Sequence, residues 1–268
     1  MSMTPEEIEQ AAEALLEAER SRKQIGLLSK AHPAIDMADA YAVQAALVKR
    51  KLAAGRGIIG WKIGLTSKAM QAALGIATPD SGVLFDDMLF ENGATVPAGR
   101  FIQTRIEAEI AFIMKAPLAG PDLDRDQVLA ATGAIAPALE ILDTRIHRAD
   151  PETGEPRKVF DTIADNAANA GLVLGDERHD PLTTDIRRAG AILYRNGEVE
   201  ETGLGAGVLD DPVIAVAWLA NRLAEQGQSI AAGEVVLSGS FIRPVEARVG
   251  DEFVADYGTF GSARCRFG

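Results

Sequence analysis

Apolar residues recur at helical spacing in two blocks near the start of the chain. Ile8, Ala11, Ala12, Leu15 and Leu16 follow Thr4-Pro5-Glu6-Glu7, where Thr4 serves as N-cap, Pro5 as first helical residue and Glu7 as the return half of a capping box. Ala40, Val43, Leu47, Val48 and Leu52 predict a second helix over about 36–54, ending near Gly55. From Ile58 the texture changes to short apolar runs punctuated by Gly, Pro and Asp. These predict strands over 58–63, 107–114, 134–142, 170–174, 189–195, 234–237 and 252–257, with a hairpin turn at Asn196-Gly197. One more helix begins at Asp211-Pro212, carries Val213, Val216, Ala217, Leu219, Ala220 and Leu223, and stops near Gly227. Strands outnumber helices without βαβ alternation, so the expected class is α+β. The expected organisation is a helical region over 1–57 and a catalytic domain over 58–268.

Within this pattern the acids at Glu107 and Glu109 stand out, because they interrupt an apolar run. Alternate residues of a strand share a face, so both carboxylates point one way and Ile106, Ala108, Ile110 and Phe112 the other. Glu140 is likewise set between aliphatic residues, in Ala138-Leu139-Glu140-Ile141-Leu142. Buried ionised carboxylates need a pairing charge or a metal. The alternative is that Glu107 and Glu109 face solvent on an antiparallel strand. Three histidines with no paired spacing argue against a His-ligated zinc site and a Ser-His-Asp hydrolase. What remains is a hard ion on oxygen ligands, Mg²⁺ or Mn²⁺.

Composition narrows the partners. The 268 residues are 47% hydrophobic and 25% charged, with net charge −12, which argues against nucleic acid and anionic membranes. No apolar run reaches the length of a membrane span. The acidic start is unlike a signal peptide, and the single Cys265 fits a reducing cytoplasm, so cytoplasmic localisation is expected. Gly203-Leu204-Gly205-Ala206-Gly207 lacks the spacing of a dinucleotide or P-loop site and is expected to be a turn before the Asp211 helix. Lys62, in Gly60-Trp61-Lys62-Ile63-Gly64, is either a snorkelling strand lysine or an acid–base group with a lowered pKa. Asp80 and Ser81 are expected in a turn. Ser238-Gly239-Ser240 is either a turn or a carboxylate-binding nest.

Five ordered motifs, spread over nearly the whole chain, resemble the hydratase/decarboxylase family of meta-cleavage pathways, within the fumarylacetoacetate hydrolase superfamily. They are Gly60 to Gln71, Pro79-Asp80-Ser81-Gly82, Ile106-Glu107-Ala108-Glu109, Pro137-Ala138-Leu139-Glu140 and Asp161-Thr162-Ile163-Ala164-Asp165-Asn166-Ala167. The resemblance implies a mixed sheet or β-roll core with an N-terminal helical region, and Mg²⁺ (or Mn²⁺) on Glu107, Glu109 and Glu140. It implies a 2-oxo dicarboxylate substrate, hydrated at C4, with Lys62 and Asp80 moving protons or placing water and Ser67 and Ser240 helping to hold the first carboxylate. Hydrolase relatives use an extra His–Glu pair, which has no equivalent here. Arg145, His147, Arg148, Arg157 and Lys158 surround the 150–156 loop, and Arg157 is the first choice to read the distal carboxylate, against the alternative of ordinary surface ion pairs. Family members are homo-oligomers, often built from dimers. The competing readings are a five-carbon monoacid hydratase (acting on 2-hydroxypenta-2,4-dienoate), 4-oxalocrotonate decarboxylase, and a silent binding or scaffold protein of the same fold.

Overall fold

The structure is a computed structural model that describes residues 2–68, 71–72, 76 and 78–268. Ala69 and Met70 of the first motif lie outside the described residues. Three helices open the chain: α1 (Pro5–Ser21), the short α2 (Leu28–Ala31) and α3 (Met37–Ala53). The first is capped as its sequence demands, with Thr4 and Glu7 forming a reciprocal box, and Asp36 with Asp39 does the same for α3. Their apolar faces close on Ile146, Ile163 and Ala164, and Val159 and Phe160 pack on the same cluster. These last residues come from α5 (Val159–Ala164) and the segment leading to it.

The strands form two sheets. The larger runs in the order β2 (Asp80–Phe85), β1 (Ile58–Gly64), β10 (Val235–Leu237), β5 (Arg105–Met114), β6 (Thr132–Leu142), β7 (Asn169–Leu174) and β3 (Leu89–Phe90), with β11 (Val245–Glu246) also on β5. The smaller runs β4 (Thr95–Val96), β13 (Ser262–Phe267), β12 (Glu252–Asp256), β8 (Gly190–Arg195) and β9 (Glu198–Leu204). Helices α4 (Arg125–Ala131) and α6 (Pro212–Ala224) complete the regular elements, and Asp211 caps α6. The main core combines Ile106, Ala108, Ile110 and Phe112 of β5 with Phe253, Ala255, Ala263 and Phe267 of the smaller sheet. The architecture is the expected α+β. At Asn196-Gly197 both residues have positive φ, 54° and 84°, as the hairpin requires.

Asp80 is a correction to the sequence reading. Pro79-Asp80-Ser81-Gly82 has turn chemistry, but Asp80 opens a fully buried strand that pairs antiparallel with β1, Gly64 opposite Asp80 and Lys62 opposite Gly82. Long-range pairing overrides the local preference. The Gly203–Gly207 stretch ends β9 and forms a one-turn helix, and backbone crowds it: a Cβ at Gly203 would meet the Phe241 carbonyl at 1.8 Å.

Candidate active site

Glu107 on β5 stands directly opposite Glu140 on β6, and Glu109 opposite Ala138. The other edge of β5 is paired by β10 only as far as Ala111 and rejoined by β11 at Ile106. Between them the 238–243 segment crosses this edge, and the Gly239 amide donates to Glu109 Oε2 at 2.8 Å. Gly239 has φ 113°, and a Cβ there would strike Thr66, so only glycine delivers that amide. From the smaller sheet's end, the Tyr257 hydroxyl bonds the carbonyls of Glu109 (2.6 Å) and Ala138 (3.0 Å), locking β5 to β6 beside the acids.

One carboxylate oxygen from each of Glu107, Glu109 and Glu140 lies within 4.8 Å of the others. Glu109 and Glu140 are fully buried. Among the described residues Glu109 Oε1 and both Glu140 oxygens accept no hydrogen bond, Glu140 Oε1 having only the Lys62 ammonium at ion-pair distance. Burial, and then the neighbouring glutamate, pushes the carboxyls of Glu107 and Glu109 up to about 8. Glu140 is raised well above its ordinary value by burial, with Lys62 opposing. Orphaned oxygens of this kind are the donor set of a hard divalent cation, and the three residues fit one.

Lys62 crosses from β1 into the same space. Its Nζ lies 3.2 Å from Glu140 Oε1 and donates to the Ala167 carbonyl at 3.0 Å. Burial works to lower its pKa, but Glu140, Asp80, Glu107 and Glu109 outweigh it and raise it, so the ammonium stays charged beside the acids. That reverses the lowered pKa considered from sequence. Asp80 is buried too, its Oδ1 without a donor. Burial raises its carboxyl against the opposing charges of Lys62 and Arg157.

The structure thus brings together Lys62, Asp80, Glu107, Glu109 and Glu140. Ser67 is half-buried just after β1. The Ser240 hydroxyl is engaged by Ile242, donating to its carbonyl at 2.8 Å and accepting from its amide at 3.2 Å. Ser238, overlooked in favour of Ser240, carries a buried hydroxyl without a partner. Arg145 is withdrawn from the basic cluster: it binds the Asp165 carboxylate at 2.5 Å, the Asp165 carbonyl at 2.6 Å and the Asn169 carbonyl at 3.1 Å. Among the described residues the Arg157 guanidinium makes one hydrogen bond, to Thr144 Oγ1 at 2.6 Å. The Ala167 carbonyl was not foreseen either, since nothing in an alanine side chain announces it.

No protein-family model matches the sequence. The chain is 53% identical over 256 residues to the 2-oxo-hept-4-ene-1,7-dioate hydratase of Escherichia coli, covering 96% of each. Its structure resembles 4-oxalocrotonate decarboxylase from Pseudomonas putida G7, solved with magnesium and adipate, with TM-score 0.93, 36% identity and 99% of both chains covered. Fumarylpyruvate hydrolase from Pseudomonas aeruginosa shares the fold at TM-score 0.60 and 15% identity, over 79% of this chain and 88% of that one. The chain therefore belongs to the hydratase/decarboxylase family of meta-cleavage pathways, with a fold shared by fumarylpyruvate hydrolase. Within that family it is a hydro-lyase of aromatic meta-cleavage catabolism.

Proposed function

We propose that this chain hydrates 2-oxo-hept-4-ene-1,7-dioate, reached as 2-hydroxyhepta-2,4-dienedioate, to 4-hydroxy-2-oxoheptanedioate in homoprotocatechuate catabolism. The carrying observation is the trio of buried Glu109 and Glu140 with half-buried Glu107, whose oxygens converge within 4.8 Å and suit a cation. Glu107, Glu109 and Glu140 would hold Mg²⁺ or Mn²⁺, which would supply Lewis-acid stabilisation of the charge that develops on the substrate. The family relative solved with magnesium and adipate supports both the ion and an acidic ligand.

Hydration of the dienol releases the 2-hydroxyl proton as C5 gains one. The water oxygen then adds at C4 while C3 gains a proton equivalent to the one that water gives up, a net uptake of one water. Lys62, kept charged by its acidic neighbours, presents a proton and a positive charge within the site. Asp80, raised by burial and with a free Oδ1, takes the proton of the attacking water. Ser67, together with Ser238 or Ser240, holds the first carboxylate. The chain acts in the cytoplasm as a homo-oligomer built from dimers. Among the described residues no helix is long and apolar enough to cross a membrane.

Chelation should abolish turnover, and Mg²⁺ or Mn²⁺ should restore it in the wild type. Glu107→Gln should lower the restored rate on the order of 100-fold, the upper end of what losing a partner of a metal ligand costs; full rescue of the variant would refute the cage. The sibling reading, decarboxylation of 4-oxalocrotonate, shares fold and family at 36% identity. A product assay separates them: CO₂ release without a hydroxylated product overturns the hydratase reading.

A further inference from the structure

The face of β5 that carries the acids also carries a cation. Arg105 lies two residues before Glu107 and shares its face. Its cross-strand neighbours are Leu142 and Glu246, and Glu246 is paired with Arg248 at 3.4 Å. Arg148 and Arg157 flank the 150–156 loop on its two stems, joined by the Arg157 amide donating to the Arg148 carbonyl at 3.0 Å. Arg148 donates to Gln103, at 3.1 Å to its side chain and 3.3 Å to its carbonyl. Arg157 has only the Thr144 hydroxyl. All three are partly buried, and among the described residues none has a carboxylate within ion-pair distance. Arg145, by contrast, has Asp165.

These charges act on one another. Burial, then Arg157 and Arg105, push the Arg148 guanidinium down to about 10. Burial lowers Arg157 as well, with Arg145 and Arg105 adding to it against Asp165 and Asp161. Arg105, two residues from Glu107 on β5, places the cluster beside the acids, and the Arg157 charge acts on Asp80. Three partly buried, mutually repelling guanidiniums in a protein of net charge −12 are costly to hold together without an anion. A strand rise of about 3.4 Å per residue sets the Cα of Arg105 about 7 Å from that of Glu107. That is the length scale of an extended seven-carbon chain.

We propose that Arg105, Arg148 and Arg157 form a receptor for the far carboxylate of the substrate, making the chain selective for dicarboxylic over monocarboxylic 2-oxo acids. The inference rests on the hydratase reading for where the first carboxylate sits. A carboxylate accepts two parallel N–H bonds from a guanidinium fork, and among the described residues most N–H groups of Arg105 and Arg157 have no protein partner.

The test compares 2-hydroxyhepta-2,4-dienedioate with 2-hydroxypenta-2,4-dienoate. Arg157→Ala should lower the diacid-to-monoacid ratio of kcat/KM on the order of 10- to 100-fold, mainly through KM. Arg157→Lys, which keeps the charge, should recover part of it. Arg105→Gln removes a side chain to which the described residues make no hydrogen bond, so it supplies the same ratio if Arg157→Ala fails to fold. A ratio unchanged in Arg157→Ala and Arg105→Gln overturns the receptor. Titration of the Mg²⁺-loaded protein with pimelate and with hexanoate reads the receptor without turnover: the wild type should prefer the diacid and Arg105→Gln should lose the preference. Preference for pimelate with hydration of neither diene leaves the receptor standing and removes the hydratase reading. Hydration with an unmoved ratio does the reverse.

Discussion

At Glu107 and Glu109 burial opposes ionisation, and this fixes how the metal-free protein responds to pH. Their carboxyls rise from 4.5 to about 8 on folding. Between those values the folded chain holds protons that the unfolded chain has released, so stability falls as pH rises through the window. Above it both states are ionised and the full penalty remains. Mg²⁺ should therefore raise the melting temperature little at about pH 5 and most at about pH 9. A larger Mg²⁺ shift at the acidic end, read by scanning fluorimetry, would contradict this. The acids themselves were legible in the sequence, because a period of two in an apolar run needs no tertiary information. The charge state of Lys62 was not. Burial and four acids from three strands decide it, and three of those acids arrive from β5 and β6, far along the chain.

Among the elements, the Asn166–Ala168 turn does most to aim the site. Its three consecutive non-glycine residues have φ of 51°, 52° and 58°, a conformation that costs about 1 kcal/mol or more for each. The surrounding structure forces it. Asn166 accepts from the Val83 amide at 2.8 Å and donates to the Val83 carbonyl at 2.9 Å. Arg145 clamps Asp165 just ahead, and the Asp143 amide donates to the Ala168 carbonyl at 3.0 Å. The result is a backbone carbonyl held against Lys62. Asn166→Ala removes both bonds to Val83 and should lower stability by about 2–3 kcal/mol in urea melts. It should also lower kcat more than it raises KM, because the Lys62 contact goes with the turn; an unchanged kcat would detach the turn from catalysis. Composition predicts none of this, since Asp-Asn-Ala-Ala reads as ordinary helix end or loop. Strand β2 was missed for a related reason. Its first residues are turn formers, and only β1 beside them makes a strand of them.

For the whole molecule, the helical region is not separable from the rest by its contacts. Ile146, Ile163 and Ala164 belong to the same apolar cluster as Ala12, Leu15, Val43 and Leu47. Gln44 of α3 donates to the carbonyls of Ser81 (2.8 Å) and Ile163 (3.0 Å), reaching the residue beside Asp80. Ser29 is bound to Asp161 by amide and hydroxyl, at 2.9 and 2.6 Å. Calorimetry of the metal-free protein should therefore give one cooperative transition, and a chain truncated before residue 58 should fail to fold. Two resolved transitions would show that the helices and the sheets melt apart. The order of helices and strands could be read from periodicity and caps, but this sharing could not, because it depends on which distant faces meet.

The partition between Glu140 and Arg105 has a consequence for descent. Glu140, Lys62, Asp80 and the turn beneath them are interlocked with the packing, so a change at any of them is felt as misfolding as well as lost chemistry. Among the described residues the Arg105 side chain forms no hydrogen bond or ion pair, and exchanging it disturbs little else. A lineage built on this frame can drift from one length of substrate to another through single steps at the rim that spare the fold, while the reaction at the centre stays frozen.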